Sequence, residues 1–215
     1  MRFGYDSSVP VKDPPPWQVC SFYIGGDTPH EWTDAEIADQ PARFRNPIFV
    51  YTGEDTVTAG HDDALKMLAW LDAQRVPELT VVTIDTETGR YDHYLAEMNM
   101  LIRRARRYLM NYGSLDAVVH NHACSGGRWA AHWDDHRQVD EGMGIVGDQF
   151  ANAAMLGTGY DGSVFEDRVP FWDTRPPVPP AVTSWESHAD KITARIMGEL
   201  AGLSGLIRQH IPIGG

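Results

Sequence analysis

The sequence predicts an α/β fold: an irregular (β/α) TIM-like barrel, then a proline-rich linker and a C-terminal amphipathic helix. Three observations carry this. Short apolar runs of β type alternate with segments of helical period, the pattern of parallel strands joined by crossover helices. About seven strand candidates fall in the first ~170 residues, enough to close a small barrel, while the helical segments are too few for a regular one. Beyond them Thr174–Pro180, TRPPVPP, is a stiff extended spacer by its proline content. The expected boundaries are residues 1–172 for the barrel, 173–181 for the linker and 182–211 for the helix.

Each element has its own justification. FGYD at the start reads as a short strand and QVCSFYIGG as a second. TDAEIADQPARF reads as a short helix with Thr33 or Asp34 available as its cap. NPIFVYTG is a third strand. AGHDDALKMLAWLDAQRV places Ala64, Leu65, Leu68 and Leu71 at helical spacing, and Pro77 follows it. LTVVTID is the next strand, and YLAEMNMLIRRARRYLMNYG reads as one helix stopped by Gly113. LDAVVHNH, GRWAAHWD and IVGDQFAN read as three further strands. After the prolines, Trp185, Ile192, Ile196, Leu200, Leu203 and Ile207 recur at spacings that make one narrow apolar stripe. That helix packs back on the barrel or pairs with another chain, and the stiff spacer favours pairing.

Composition narrows the function. The chain carries 18 basic and 30 acidic residues, a net charge of −12, where nucleic-acid binders carry a basic stripe. The dense basic run Arg103, Arg104, Arg106 and Arg107 reads as the polar face of one amphipathic helix. No apolar run approaches a membrane span, so neither nucleic acid nor membrane is an expected partner. The opening MRFGYDSSVP lacks a charged-then-apolar leader, so the chain reads as a cytosolic product without a signal peptide. Cys20 and Cys124 are too few for a disulfide scaffold, and read equally as buried thiols or as one bridge.

The chemistry centres on Leu79–Gly89, LTVVTIDTETG, whose apolar run ends in Asp85 and Glu87. Along a strand, positions i and i+2 project to one side about 6.5–7 Å apart. Two acids held that close cannot both ionise freely, and one pKa rises, as a general acid beside a charged partner requires. The alternative is a loop start with two solvated acids.

Four stretches in order, FGYDSS, VVTIDTET, GRWAAHWD, and GDQFAN with GYDGSVF, resemble the family 25 glycoside hydrolases. These are the lysozyme-type muramidases of phages and bacteria. The chain is also similar to the related glycoside-hydrolase-like domains of actinobacteria and their phages. The resemblance covers roughly residues 1–170. It implies that Glu87 is the general acid and that Asp85 orients the substrate's N-acetyl group as it attacks the anomeric carbon. Asp6 and Asp161 would line the same mouth, although as isolated residues they fit turn capping equally well. Trp129 and Trp133 flank a strand end and offer indole faces to sugar rings, with core packing as the alternative. Gln149 belongs to the closing segment and would also meet substrate.

One stretch departs from the family pattern. VVHNHACSGG stands where a strand ending in Tyr is expected, so His120, Asn121 and His122 replace a substrate-side phenol. His120 and His122, with His132, Asp134 or His136 nearby, have zinc-compatible chemistry, yet no Cys cluster or His-Glu-x-x-His helix accompanies them. The letters HNH do not reproduce the dispersed ligands of that nuclease motif. Asp85-Thr86-Glu87-Thr88-Gly89 is similar to the first motif of DnaQ-type 3′–5′ exonucleases, which hold two divalent metals. Here 84 residues precede it, and no late metal motif follows; His188-Ala189-Asp190 is too short. No metal or other cofactor is therefore expected.

The resemblance implies cleavage of the β-1,4 bond after N-acetylmuramic acid in bacterial peptidoglycan. With the spacer and helix, it implies a phage product, either a lysin or a tail-associated virion component. The helix would engage other tail proteins or a second copy. The alternative is a structural minor tail protein that keeps the barrel to bind cell-wall glycan without cutting it.

Overall fold

The computed structural model describes residues 1–12, 15, 17–26, 28, 30–39, 46–53, 60–87, 89, 91–134 and 139–172. The expected linker and C-terminal helix lie outside the described residues.

Eight strands close into a barrel in chain order: β1 (Arg2–Asp6), β2 (Val19–Gly26), β3 (Asn46–Thr52), β4 (Val81–Asp85), β5 (Tyr108–Ser114), β6 (Arg128–Ala131), β7 (Ile145–Ala151) and β8 (Asp161–Phe165). Strands β1 to β7 are parallel, whereas β8 runs antiparallel to both its neighbours. The connections explain the difference. Helices α2 (Gly60–Ala73) and α3 (Asp92–Arg104) serve as crossovers, but β7 and β8 are joined only by residues 152–160, which include the four-residue α5 (Ala153–Leu156). A parallel return needs about a dozen residues or more, so β8 comes back antiparallel. Its first residue, Asp161, therefore lies at the end of the barrel where β1 to β7 finish.

The strands read as nearly continuous apolar runs because they are covered inside and out. All five residues of β4 are buried, as are Ile48 to Tyr51 of β3. Interior filling depends on two glycines. A Cβ at Gly4 would lie 3.0 Å from the Phe165 ring, and one at Gly147 2.6 Å from it, so both glycines make room for that side chain. Trp129 packs on Phe165 at 5.1 Å between ring centroids and on Tyr112 at 4.4 Å. At the opposite end from Asp161, Val81 donates its N–H to the Pro170 carbonyl at 2.8 Å, and Phe171 and Trp172 pack on the core.

The short helix α1 (Asp34–Asp39) begins in a capping box. The Thr33 hydroxyl accepts from the Glu36 N–H at 3.3 Å, and the Glu36 carboxylate accepts from the Thr33 N–H at 2.7 Å.

Two expectations are corrected. The helix predicted to run to Gly113 ends at Arg104. Arg106 takes a left-handed backbone (φ 58°), and its carbonyl accepts the Leu79 N–H at 2.7 Å. The chain then turns into β5, whose LMNY stretch also suits a helical period. The four arginines are consequently not one helix face: Arg107 is buried, donating to Asp72 and to the Val76 carbonyl, both at 2.8 Å. Second, LDAVVHNH is not a strand. Leu115–His120 is helix α4, capped by Ser114, whose hydroxyl accepts from Ala117 N–H at 3.3 Å. Val118 supports it by packing against Ala130 and Ile145, and tertiary burial overrides β propensity. Cys20 and Cys124 are free buried thiols, and burial pushes Cys124 up to about 12. Among the described residues, no helix is long and apolar enough to cross a membrane.

Candidate active site

The C-terminal ends of the strands, joined by the start of β8, surround a cleft of about 340 Å³. Asp6, Asp85, Glu87 and Asp161 line it together with Ser7, Ser8, Tyr23, Thr52, Tyr112 and Trp133. Among the described residues, the lining contains four carboxyl groups and no Lys, Arg or His. A larger cavity of about 470 Å³ opens elsewhere, beside Tyr108, Cys124 and Arg168, but among the described residues no acid lines it.

Register creates much of this convergence. Asp6, the last residue of β1, sits directly opposite Asp161, the first residue of β8. Around the barrel, Thr52 pairs with Asp85, and Asp85 with Tyr112. Two groups of neighbouring strand ends, β8 with β1 and β3 with β4 and β5, thus deliver five polar side chains to the mouth.

Asp6 is buried and held by three donors. The Ser21 hydroxyl donates to its Oδ1, while the Tyr23 hydroxyl and Gln149 Nε2 donate to Oδ2, each at 3.2 Å. Burial outweighs these bonds and, with the charge of Asp161, raises Asp6 to about 6. Asp85 is 3% exposed and is raised to about 8, first by burial and then by the charge of Glu87. Asp161 is raised chiefly by burial, against the bond it accepts from Ala153 N–H at 2.5 Å.

Glu87 is placed by a turn rather than by strand alternation. Strand β4 stops at Asp85, whose Oδ1 accepts the Glu87 N–H at 3.0 Å. Glu87 itself adopts a left-handed backbone (φ 48°), an uncommon state for a residue with a Cβ. Strand β5 holds it there. Ser114 N–H donates to the Glu87 carbonyl at 2.7 Å, and a Cβ at Gly113 would stand 2.5 Å from that oxygen. Between the acids, Thr86 is buried and tied to β5, its hydroxyl accepting from Asn111 Nδ2 at 2.8 Å. The result is an exposed Glu87 beside a buried Asp85, two carboxyl groups in opposite surroundings.

The other expected site residues divide. Trp133 is 49% exposed at the mouth, also with a left-handed backbone (φ 50°). Trp129 is 1% exposed, with its ring covered in the core, so the structure corrects its expected place at the sugar surface. Gln149 is 0% exposed; its side chain meets Tyr112, Trp133 and Asp6 rather than the cleft. His120 and His122 are exposed, on the last turn of α4 and in the loop after it, and neither lines the cleft. The two rings therefore do not share a strand face. His132 pairs with Asp134 at 3.6 Å, and His136 lies outside the described residues. Among the described residues, no group of three or more His, Cys, Asp or Glu side chains is placed to hold a metal.

Sequence reasoning missed Tyr112, Tyr23 and Thr52. Tyr112, on β5 just before the segment expected to be a strand, brings a phenol to the cleft lining. Burial and then the charge of Asp6 push both phenols, Tyr23 and Tyr112, well above the usual range, so each remains a hydrogen-bond donor.

The raised carboxyls set a pH dependence of stability. A carboxyl whose folded pKa exceeds its unfolded value holds its proton more tightly when folded, so its stabilisation is complete below about pH 4 and is lost as pH rises through the folded pKa. For Asp6 and Asp85 those folded values are about 6 and about 8. The thermal midpoint is expected to fall between about pH 5 and about pH 9, and Asp85→Asn to flatten the decline, the difference being on the order of a few kcal/mol. A midpoint equally pH-dependent in Asp85→Asn would contradict this assignment.

No family model matches the chain, and no curated protein matches it. Solved structures do. An uncharacterized B. stearothermophilus protein aligns with TM-score 0.61 at 10% identity, over 79% of this chain and 98% of that one. The modular autolysin LytC of Streptococcus pneumoniae, complexed with a synthetic peptidoglycan ligand, aligns with TM-score 0.52 at 13% identity, over 77% of this chain and 46% of its own. The multimodular pneumococcal cell wall endolysin from phage Cp-1 aligns with TM-score 0.54 at 11% identity, over 83% and 56%. The chain thus spans about half the length of the autolysin and endolysin. At these identities the likeness establishes a shared barrel fold, found in proteins that act on bacterial cell walls.

Proposed function

We propose that this chain is a muramidase-type glycoside hydrolase that cleaves the β-1,4 bond after N-acetylmuramic acid in peptidoglycan. One observation carries the reading: Asp6, Asp85, Glu87 and Asp161 line a single cleft at the C-terminal mouth of a barrel, beside an exposed tryptophan. Strand ends are where barrel enzymes assemble catalytic groups. The likeness in fold to an autolysin bound to a peptidoglycan ligand supports the substrate class.

In this reading Glu87 gives its proton to the leaving glycosidic oxygen. The substrate's acetamido oxygen forms a bond to the anomeric carbon as the glycosidic bond breaks, with Asp85 holding the acetamido N–H. Water then attacks that carbon, the acetamido group departs, and Glu87 recovers a proton from the water, so configuration is retained. The close coupling of Asp85 and Glu87 suits this sequence. An amide N–H arriving at Asp85 favours its carboxylate form, and the proton displaced is available to the adjacent Glu87. The proline run TRPPVPP and the apolar spacing that follows it in the sequence support a place on a phage tail, or a free lysin, with that C-terminal segment engaging tail proteins or a second copy.

The test is to incubate the purified chain with isolated peptidoglycan, with and without EDTA, and to reduce the new ends with borohydride. Muramitol formed in both conditions is expected. Glucosaminitol would mean the other glycosidic bond, and loss of release in EDTA would mean metal-dependent chemistry. No new ends, with wall binding retained, would favour the structural glycan-binding protein instead.

A further inference from the structure

Gln149 is completely buried, yet its amide touches three residues of the cleft that come from three different parts of the barrel. The Tyr112 hydroxyl of β5 donates to Oε1 at 2.9 Å, and Trp133 Nε1 donates to the same oxygen at 2.6 Å. On the other side, Nε2 donates to Asp6 Oδ2 on β1 at 3.2 Å. The indole fixes which way the amide points. An indole N–H can only donate, so the group facing it is the carbonyl, and the amide nitrogen must then face Asp6. The backbone of Gln149 adds to the hold, since its carbonyl accepts the N–H groups of His132 and Trp133 at 3.1 and 3.2 Å. Trp133 is thus attached to β7 through both main chain and side chain, although the residue is 49% exposed and its backbone is left-handed.

An exposed tryptophan on a loop ordinarily samples several rotamers, and ordering one on ligand binding costs affinity. Here the ring is already held in one orientation, by a residue whose amide also holds Asp6. Resting on the glycan reading above, we propose that Gln149 is a positioning residue that registers the Trp133 indole against Asp6, making Trp133 a pre-set stacking platform for a saccharide ring. Gln149 touches no substrate. It acts through the orientation of Trp133, and its effect falls mainly on binding.

The discriminating variant is Trp133→Phe, which keeps an aromatic ring at the mouth, deletes the donor to Gln149 and leaves the buried amide in place. With a soluble β-1,4-linked N-acetylglucosamine oligomer as probe, Trp133→Phe is expected to weaken binding about fivefold, the scale of one lost hydrogen bond. On peptidoglycan it is expected to raise KM more than it lowers kcat. Gln149→Leu is expected to weaken saccharide binding similarly, and the double variant to be no weaker than either single one. Nitrogen–proton NMR gives a readout independent of ligand. The indole resonance absent from Trp133→Phe identifies Trp133, and in Gln149→Leu that resonance is expected to move upfield and exchange faster with solvent. Wild-type binding by Trp133→Phe, or an unchanged indole resonance in folded Gln149→Leu, would overturn the positioning role while leaving the glycan reading intact. Failure of the unmodified protein to bind any such oligomer or peptidoglycan would instead overturn the glycan reading and the platform with it.

Discussion

Glu87→Gln is expected to reduce release of reducing ends from peptidoglycan by about 100- to 10,000-fold, the usual contribution of a positioned general acid. The fold should survive, because the bonds that place this residue come from its backbone. Its N–H donates to Asp85 and its carbonyl accepts from Ser114, and glutamine retains both groups. The side chain itself is exposed. A second readout follows from electrostatics. The charge of Glu87 is the second cause, after burial, of the raised Asp85 value of about 8. Neutralising position 87 removes that repulsion, so the Asp85 titration, followed by carboxyl-carbon NMR, should move down toward the ordinary carboxylate range while staying above it through burial. Turnover within a few-fold of wild type would remove Glu87 from the acid role. Lost turnover with an unmoved Asp85 titration would deny the coupling between the two acids.

The two tryptophans near β6 should separate stability from binding. Trp129→Ala is expected to cost about 3–5 kcal/mol in a urea unfolding experiment, as large-to-small changes in well-packed cores do. The ring is 1% exposed and contacts Tyr112 and Phe165, so its removal also frees the phenol that faces Gln149 and the mouth. Trp133→Ala removes an exposed ring and one hydrogen bond, and should cost only about 1 kcal/mol. Its effect belongs in saccharide affinity. Equal destabilisation by both substitutions would mean that Trp133 is structural. Unchanged glycan affinity in Trp133→Ala would remove the stacking platform.

The same pair shows how far the chain could be read unaided. Both tryptophans belong to GRWAAHWD, and nothing local distinguishes them. One precedes the end of β6 and points into the barrel interior, where Gly147 and Tyr112 make its space. The other follows the strand and stands at the rim. Tyr112 was hidden for a related reason. YLMNYG continues a helical period from α3, and only the left-handed turn at Arg106 and the pairing of β5 with β4 show that the helix has ended. A helix through that segment leaves LDAVVHNH as the next strand candidate and puts His120 and His122 at its end, whereas the histidines sit on and after α4, away from the cleft.

What the sequence by itself determined was the alternation of apolar strands and helices, and the acids that follow strand runs at Asp6 and Asp85. Those signals are local: side-chain period, β-branched content and the residue at which an apolar run stops. The tertiary structure decided which residues meet. Closure of the barrel puts Asp161 opposite Asp6, although the two are far apart along the chain, because the β7–β8 connection is too short for a parallel return. Burial set Asp85 and Glu87 apart, one enclosed and one exposed, although two adjacent acids look alike in a sequence. It also turned Gln149 inward to join Tyr112, Trp133 and Asp6, since a buried amide must find partners wherever the fold supplies them.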